Sequence, residues 1–378
     1  MIQEYIKNGK KYYKFRNIYI GKNPITKKEI RKSKSGFKTI REAKLYIANL
    51  QTKYEQNDYI EKQENKKTFQ QIYNLWYENY KDTIKESTLY THDVRVKTML
   101  KELQNKELKN ITPYYLQKYI NNLSKKYKKG TILNIKSIIN QVFNYAIKIG
   151  IIEKNPATLL TIPKDKDKII NDEDLFYTKE ELQQFFKTLE KENNLKLLAI
   201  FRLLAFTGAR IGEILALNWQ DINFKEGQLH INKTLAKTKD GLKIQTPKTK
   251  TSNRLISLDK NTLTVLKKHK LNQKEEIFKK GLEKKDIVFT SRKNSYISIN
   301  VVDSTFLALC KKHNLKKIKI HGFRHTHASL LFESGATIKA VQYRLGHSNI
   351  KTTMDIYTHV TKLQKENIGD DFAKYMGM

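Results

Sequence analysis

Residues 196–217 read KLLAIFRLLAFTGARIGEILAL. The first eleven are apolar on almost every side, so the pattern predicts a helix buried within a core, not an amphipathic one at its edge. Gly208 breaks that helix, and Arg210 opens the next one, beside amide groups that have no intrahelical partner and favour an anion. Glu213 follows one turn on, where it can hold the guanidinium, while Ile214, Leu215 and Leu217 bury the opposite face. An Arg–Glu pair at this spacing is more often a surface salt bridge, but the apolar helix before it argues against exposure.

Working outward, Thr178 with Glu181 forms a capping-box pattern that starts the helix upstream. Downstream, the runs QLHINKT, LKIQT and RLISL, with a turn signal at Asp240-Gly241, predict a small antiparallel sheet. Between the last two runs lies PKTKTSN, a polar connection in which Lys248 could reach into a cleft and Lys250 competes for the same role. In HGFRHTH, His321 and Arg324 sit at i and i+3 and project from one helical face. Zinc ligation by His321, His325 and His327 is disfavoured, because no carboxylate-rich partner motif accompanies them, and a stacked core role is expected for His325 and His327. VQYRLG reads as a helix stopped by Gly346, which leaves His347 on a turn. Tyr357 follows ten residues later in a short helical segment.

Upstream of residue 175 the pattern changes. The polar, charge-alternating stretch at 163–174 reads as a linker. Before it, helical spacing dominates from Phe69 to Ile152, in segments near 69–80, 87–100, 112–123 and 131–149, with a basic cluster at Lys125, Lys126, Lys128 and Lys129. Residues 1–62 alternate aromatic and basic positions, with turn signals at Asn8-Gly9 and Asn23-Pro24, then change to helical spacing after Thr39, where Thr39 and Glu42 suggest a cap. The expected architecture is multidomain and mainly α: a small N-terminal sheet with one helix (1–62), a helical bundle (66–162) and a mixed α+β domain with a small antiparallel sheet (175–378).

Composition narrows the function. The chain has 378 residues and carries 73 Lys and Arg against 38 Asp and Glu, a formal charge of +35, which calls for a polyanionic partner. The excess is +9 over residues 1–65, +11 over 66–170 and +15 over the remainder, so no single basic tail accounts for it. A ribosome-associated protein, or charge serving solubility alone, is the bland alternative. Only 10 of the 73 cations are Arg, so an Arg here signals a need for its planar fork, which can grip two phosphate oxygens at once. The lone Cys310 cannot form an internal disulfide, and no apolar stretch reaches the length of a membrane span, so a cytoplasmic, membrane-free protein is expected.

TGARIGE, HGFRHTHAS, LGHS and YTHV, in this order and spacing from about residue 175 to the end, resemble the boxes of the tyrosine recombinases of the phage integrase family. The resemblance implies that Arg210, His321, Arg324 and His347 cradle a scissile phosphate, with Glu213 in support, that Lys248 protonates the leaving 5′ oxygen and that Tyr357 attacks. It implies no metal and no cofactor. The bundle is similar in layout to the family's core-binding domain, and the N-terminal sheet and helix to the arm-binding domains of integrases from phages and integrative conjugative elements. Double-stranded DNA at attachment sites, a homo-tetramer on it and accessory bending and excision factors are the implied partners, and the tail after Tyr357, through Leu363, Ile368, Phe372 and Tyr375, docks in cis or in trans. A type IB topoisomerase shares the chemistry but would not need the N-terminal module. A DNA-binding regulator with a dead site would not need all six residues.

Overall fold

The computed structural model of the chain describes residues 2–22, 28–55, 67–163, 176–247, 250–364, 373 and 376–377. Two compact units comprise residues 1–166 and 167–378. The Asn23-Pro24 turn, nearly all of the expected linker and most of the tail after Tyr357 lie outside the described residues. Among the described residues, no helix is long and apolar enough to cross a membrane.

In the first unit, β1 (Ile2–Lys7), β2 (Lys10–Lys22) and β3 (Glu29–Phe37) form an antiparallel sheet in that order. Asn8 and Gly9 take φ of 49° and 72°, the mirror-image turn whose twist suits a hairpin. The alternation expected to give only short strands sustains a β2 of 13 residues, because register shifts after Phe15 and Tyr19 absorb its twist. Helix α1 (Ile40–Glu55) starts at Thr39, whose hydroxyl accepts from the Glu42 amide at 3.1 Å, while the Glu42 carboxylate accepts from the Lys38 amide at 2.8 Å. Phe15, Phe37 and Ala43 form the core under this sheet. A separate core, including Phe69, Ile72, Leu116, Ile135, Ile139 and Phe143, is built by α2 (Phe69–Lys81), α3 (Glu86–Met99), α4 (Pro113–Ser124) and α5 (Lys129–Lys148), each within two residues of the bounds set by periodicity.

In the second unit, α6 (Lys179–Lys191) begins at the expected capping box: the Thr178 amide donates to Glu181 Oε2 at 2.8 Å and the Glu181 amide to Thr178 Oγ1 at 3.2 Å. Helix α7 (Leu195–Thr207) is buried as its composition requires and ends on Gly208; α8 (Ile211–Ile214) is a single turn. The three strand-like runs do not share one sheet. The Asp240-Gly241 turn folds β7 (Gly241–Gln245) onto β6 (Thr234–Thr238) as a separate hairpin, so the third run, β8 (Arg254–Ser257), pairs instead with β5 (Gln228–Ile231), which is flanked on its other side by β4 (Ile222–Asn223). Leu229 and Ile256, partners across that ladder, both face the core.

The unit is completed by α9 (Lys260–Lys279), α10 (Ile299–Lys312), α11 (Gly322–Glu333), α12 (Ile338–Leu345) and α13 (Ile350–Gln364). Four helices meet on one aromatic cluster: Phe185, Phe201, Phe306 and Phe323, from α6, α7, α10 and α11, lie with ring centroids 5.1 to 5.8 Å apart. Each such pair adds about 0.5–1.5 kcal/mol beyond area burial. This cluster anchors α11 through Phe323 and thereby places the next residue, Arg324.

Candidate active site

The break after α7 is built for close approach. Gly208 takes φ +64°, and a Cβ there would lie 2.5 Å from Leu345 Cδ2 and 2.7 Å from His327 Cδ2, so only glycine fits. Its bare backbone lets α11 come close enough for Arg324 Nη1 to donate to the Gly208 carbonyl at 2.9 Å. Arg324 is 2% exposed, and its Nη2 is buried with no partner. An unpaired buried donor on a charged group costs more than the roughly 1–3 kcal/mol of a neutral one, which marks a site waiting for an anion. Burial pushes the Arg324 pKa down to about 9, Arg210 adding to the shift, yet the group stays charged at neutral pH.

Arg210 is half-buried and its Nη1 donates to Glu213 Oε1 at 2.9 Å, so the pair is no surface salt bridge; Glu213 is 3% exposed. The expected anion site at the start of α8 is corrected: the helix is one turn long, and the Arg210 amide donates at 2.9 Å to Glu213 Oε2. The arginine side chain, not the helix end, is left to meet an incoming anion. Arg254, which opens the strand-like run RLISL and which no local motif marks as a site residue, donates to the same carboxylate from Nη2 at 3.0 Å. Burial alone would raise the Glu213 carboxyl, but Arg254 and Arg210 outweigh it and hold it below the usual carboxylate range.

His321 precedes α11 and keeps solvent access, and its ring meets His325 edge-on at 5.2 Å. Crowding by packed walls pushes its pKa down to about 4, with His325, Arg324 and Arg210 acting in the same direction. His325 is half-buried, whereas His327 is a buried clip: Nδ1 lies 2.8 Å from the Ala205 carbonyl, and Arg344 Nε donates to Nε2 at 3.0 Å. Among the described residues, no group of three or more His, Cys, Asp or Glu is placed to hold a metal.

Gly346, at φ +69°, ends α12 and turns the chain so that His347 Nδ1 meets the buried Thr353 hydroxyl at 2.9 Å. That contact leaves Nε2 as the nitrogen able to reach a ligand. Burial pushes His347 down to about 3, assisted by Arg324, Arg210, His321 and His325, so these five side chains share one field. Tyr357 stands one helical turn beyond Thr353 on α13, 36% exposed, its ring edge-on to Phe332 of α11 at 5.1 Å. The structure thus gathers Arg210, Glu213, His321, Arg324 and His347, with Tyr357 on the adjoining helix. Lys248 lies outside the described residues; Lys250 starts a short 3₁₀ turn, Lys250–Ser252.

This arrangement can bind a singly charged phosphate by two arginines and two neutral imidazoles, with a phenol carried on the adjoining helix. The chain matches the model described as the phage integrase family over residues 176–364, that of the phage integrase N-terminal SAM-like domain over 68–124 and that of an arm DNA-binding domain over 1–54. It is 31% identical to a tyrosine recombinase XerC-like protein of Caldanaerobacter subterraneus, covering 96% of each chain. It is 30% identical to a prophage ps2 probable integrase of Lactococcus lactis, covering 98% of this chain and 99% of that one. In fold it is similar to the Tn1549 transposon integrase solved in complex with a circular intermediate DNA, with a TM-score of 0.68 at 20% identity, over 80% of this chain and 99% of that one.

Proposed function

Since the chain belongs to the phage integrase family, we propose that its pocket of two arginines and two histidines, together with Tyr357, cuts and rejoins DNA at specific sites to integrate and excise a mobile element. It is a tyrosine site-specific recombinase. The observation that carries the assignment of the pocket is the buried, unpartnered Nη2 of Arg324, which a nonbridging phosphate oxygen would satisfy.

In the proposed reaction, Arg210, Arg324, His321 and His347 Nε2 hold the nonbridging oxygens of the scissile phosphate. The Tyr357 oxygen adds to phosphorus as the bond to the 5′ oxygen breaks, and Lys248 supplies the proton that the leaving oxygen needs. The product is a 3′-phosphotyrosine and a free 5′ hydroxyl, which in reverse attacks the same linkage on a new strand. Charge builds on the phosphate as the new bond forms, so preorganised cations lower the barrier. A phenol has a pKa near 10 and must lose its proton. His321, held neutral by its lowered pKa, can accept that proton through one ring nitrogen, and a bound phosphate that offsets the arginine charges beside it makes it a better acceptor.

Residues 66–162 would grip the core of the site, residues 1–62 would reach arm sequences, and residues 175–378 would do the chemistry. Exchange between two duplexes breaks four strands at one tyrosine each, which favours a tetramer, with accessory bending and excision factors choosing direction. Its substrate places it in the bacterial cytoplasm. The test uses a nicked duplex spanning the junction between the gene's mobile element and its flanking DNA, followed by denaturing electrophoresis. Wild type gives a covalent protein–DNA band and Tyr357→Phe does not; an adduct with the variant would remove Tyr357 from the role.

A further inference from the structure

Glu213 accepts from two arginines at once. Its Oε1 takes Arg210 Nη1 at 2.9 Å, and its Oε2 takes the Arg210 amide at 2.9 Å and Arg254 Nη2 at 3.0 Å. The two cations differ in access: the Arg210 side chain is 40% exposed, that of Arg254 only 1%. A carboxylate paired with Arg210 alone would cancel the charge that the phosphate has to feel. With Arg254 supplying a buried counter-charge, the triad of two arginines and one glutamate keeps a net charge of +1, and its only solvent-facing member is Arg210.

Arg254 is also a mechanical junction. Its Nε donates to the Arg344 carbonyl at 2.8 Å, three residues before His347, and its Nη1 donates to the Ser252 carbonyl at 3.0 Å, at the end of the Lys250–Ser252 turn. Gly346 packs directly on it, since a Cβ there would come within 3.1 Å of Arg254 Cδ and 2.8 Å of the Thr251 carbonyl. One buried side chain therefore touches the carboxylate that orients Arg210, the turn just after Lys248 and the turn that carries His347. A lysine, a point charge without the fork, could not serve these partners together, which fits an arginine in a chain that otherwise prefers lysine.

We propose that Arg254 is a positioning residue, the buried counter-cation of Glu213 that keeps Arg210 both oriented and effectively positive toward the scissile phosphate. The proposal rests on the recombinase reading above and adds to it a residue that does not touch DNA. If the reading is right, Arg254→Met leaves Glu213 to neutralise Arg210, and adduct formation slows by about 100-fold. DNA affinity, carried by many lysines, changes by less than about threefold.

Two comparisons separate this role from simple support of the fold. Adding Glu213→Gln to Arg254→Met removes both buried charges, and the double variant should cleave at least about tenfold faster than Arg254→Met alone. On a substrate whose scissile phosphate is a neutral methylphosphonate, the positive charge matters less, so the Arg254→Met defect should shrink by a similar factor. Where Arg254→Met alone does not fold, the doubly neutral variant, which keeps the net charge of +1 on Arg210, is compared with wild type on the two substrates, and similar deficits of less than about tenfold are expected on both. A double variant no faster than the single one, equal Arg254→Met defects on both substrates, or a double variant whose deficit is larger on the charged phosphate overturns the proposal. Absence of any adduct from wild type would instead sink the recombinase reading itself.

Discussion

Arg344 donates through Nε to Nε2 of His327 at 3.0 Å, which identifies that nitrogen as an acceptor and the imidazole as neutral, with its proton on Nδ1 toward the Ala205 carbonyl. Arg344 Nη2 also reaches the Phe206 carbonyl at 2.8 Å and the Ser257 carbonyl at 3.2 Å, so the clip joins α7, α11, α12 and β8. Burial pushes His327 down to about 3, and the facing Arg344 deepens the shift.

Protonation should therefore unfold this unit from the acid side. Between pH 6.5 and about 3 the unfolded chain takes up a proton that folded His327 refuses, so stability is lost as pH falls, by about 1.4 kcal/mol per pH unit for each such histidine. His321 and His347, shifted down to about 4 and about 3, add to the slope. Melting curves from pH 7.5 to 4.5 are expected to drop steeply below 6.5, and His327→Gln, which cannot charge, to remove about one proton's worth of that slope. An unchanged slope would mean that His327 titrates normally.

Arg324→Lys should separate binding from chemistry. An ammonium cannot both replace the bond to the Gly208 carbonyl and fill the place of the orphaned Nη2. Adduct formation is expected to fall by at least about 100-fold, while a gel-shift titration moves by less than about threefold. A parallel loss of both would assign Arg324 to binding alone.

Gly208→Ala tests the close approach. The new methyl would sit at φ +64° within 3 Å of Leu345 and His327 side-chain atoms. Strain and overpacking together cost about 2–4 kcal/mol, which lowers the melting temperature on the order of 10 °C for a unit of this size. Cleavage should fall more than the lost folded fraction explains, because the shifted carbonyl is the partner of Arg324.

Much of this site was readable in the chain because its boxes are local: Gly208 before Arg210, Glu213 one turn on, His321 and Arg324 on one helix, and a glycine stop before His347. What escaped is non-local. Arg254 carries the same signal of arginine in a lysine-rich chain, and so does Arg344, but their partners lie 41 residues away at Glu213 and 17 away at His327. No periodicity connects them. The strand pairing is non-local in the same way, since the Asp240-Gly241 turn pairs neighbours while β5 and β8 meet across the intervening hairpin.

Thr353→Val probes the orientation of His347. The hydroxyl is the contact at Nδ1 and is fully buried, and valine keeps its shape without the oxygen. With Nδ1 unpaired the ring can take either tautomer, and Nε2 no longer presents one defined state to the phosphate. Adduct formation should slow by about tenfold with the melting temperature within a few degrees of wild type. Cleavage at the wild-type rate would show that His347 is oriented by packing alone.

The general acid is the assignment with the least local context, because Lys248 and Lys250 lie two residues apart in one polar connection. They are distinguished by what the leaving group needs. A 5′ alkoxide is a poor leaving group unless it is protonated as the bond breaks, so loss of the true acid should slow cleavage of ordinary DNA by about 100-fold. A bridging 5′ sulfur leaves as a thiolate, whose conjugate acid has a pKa near 8.5, and needs no proton. Lys248→Ala is therefore expected to cleave ordinary DNA slowly and the sulfur-bridged substrate at nearly the wild-type rate, whereas Lys250→Ala should show the same modest change on both. Rescue of Lys250→Ala alone would transfer the role two residues along, and rescue of neither would mean that the proton comes from outside this turn.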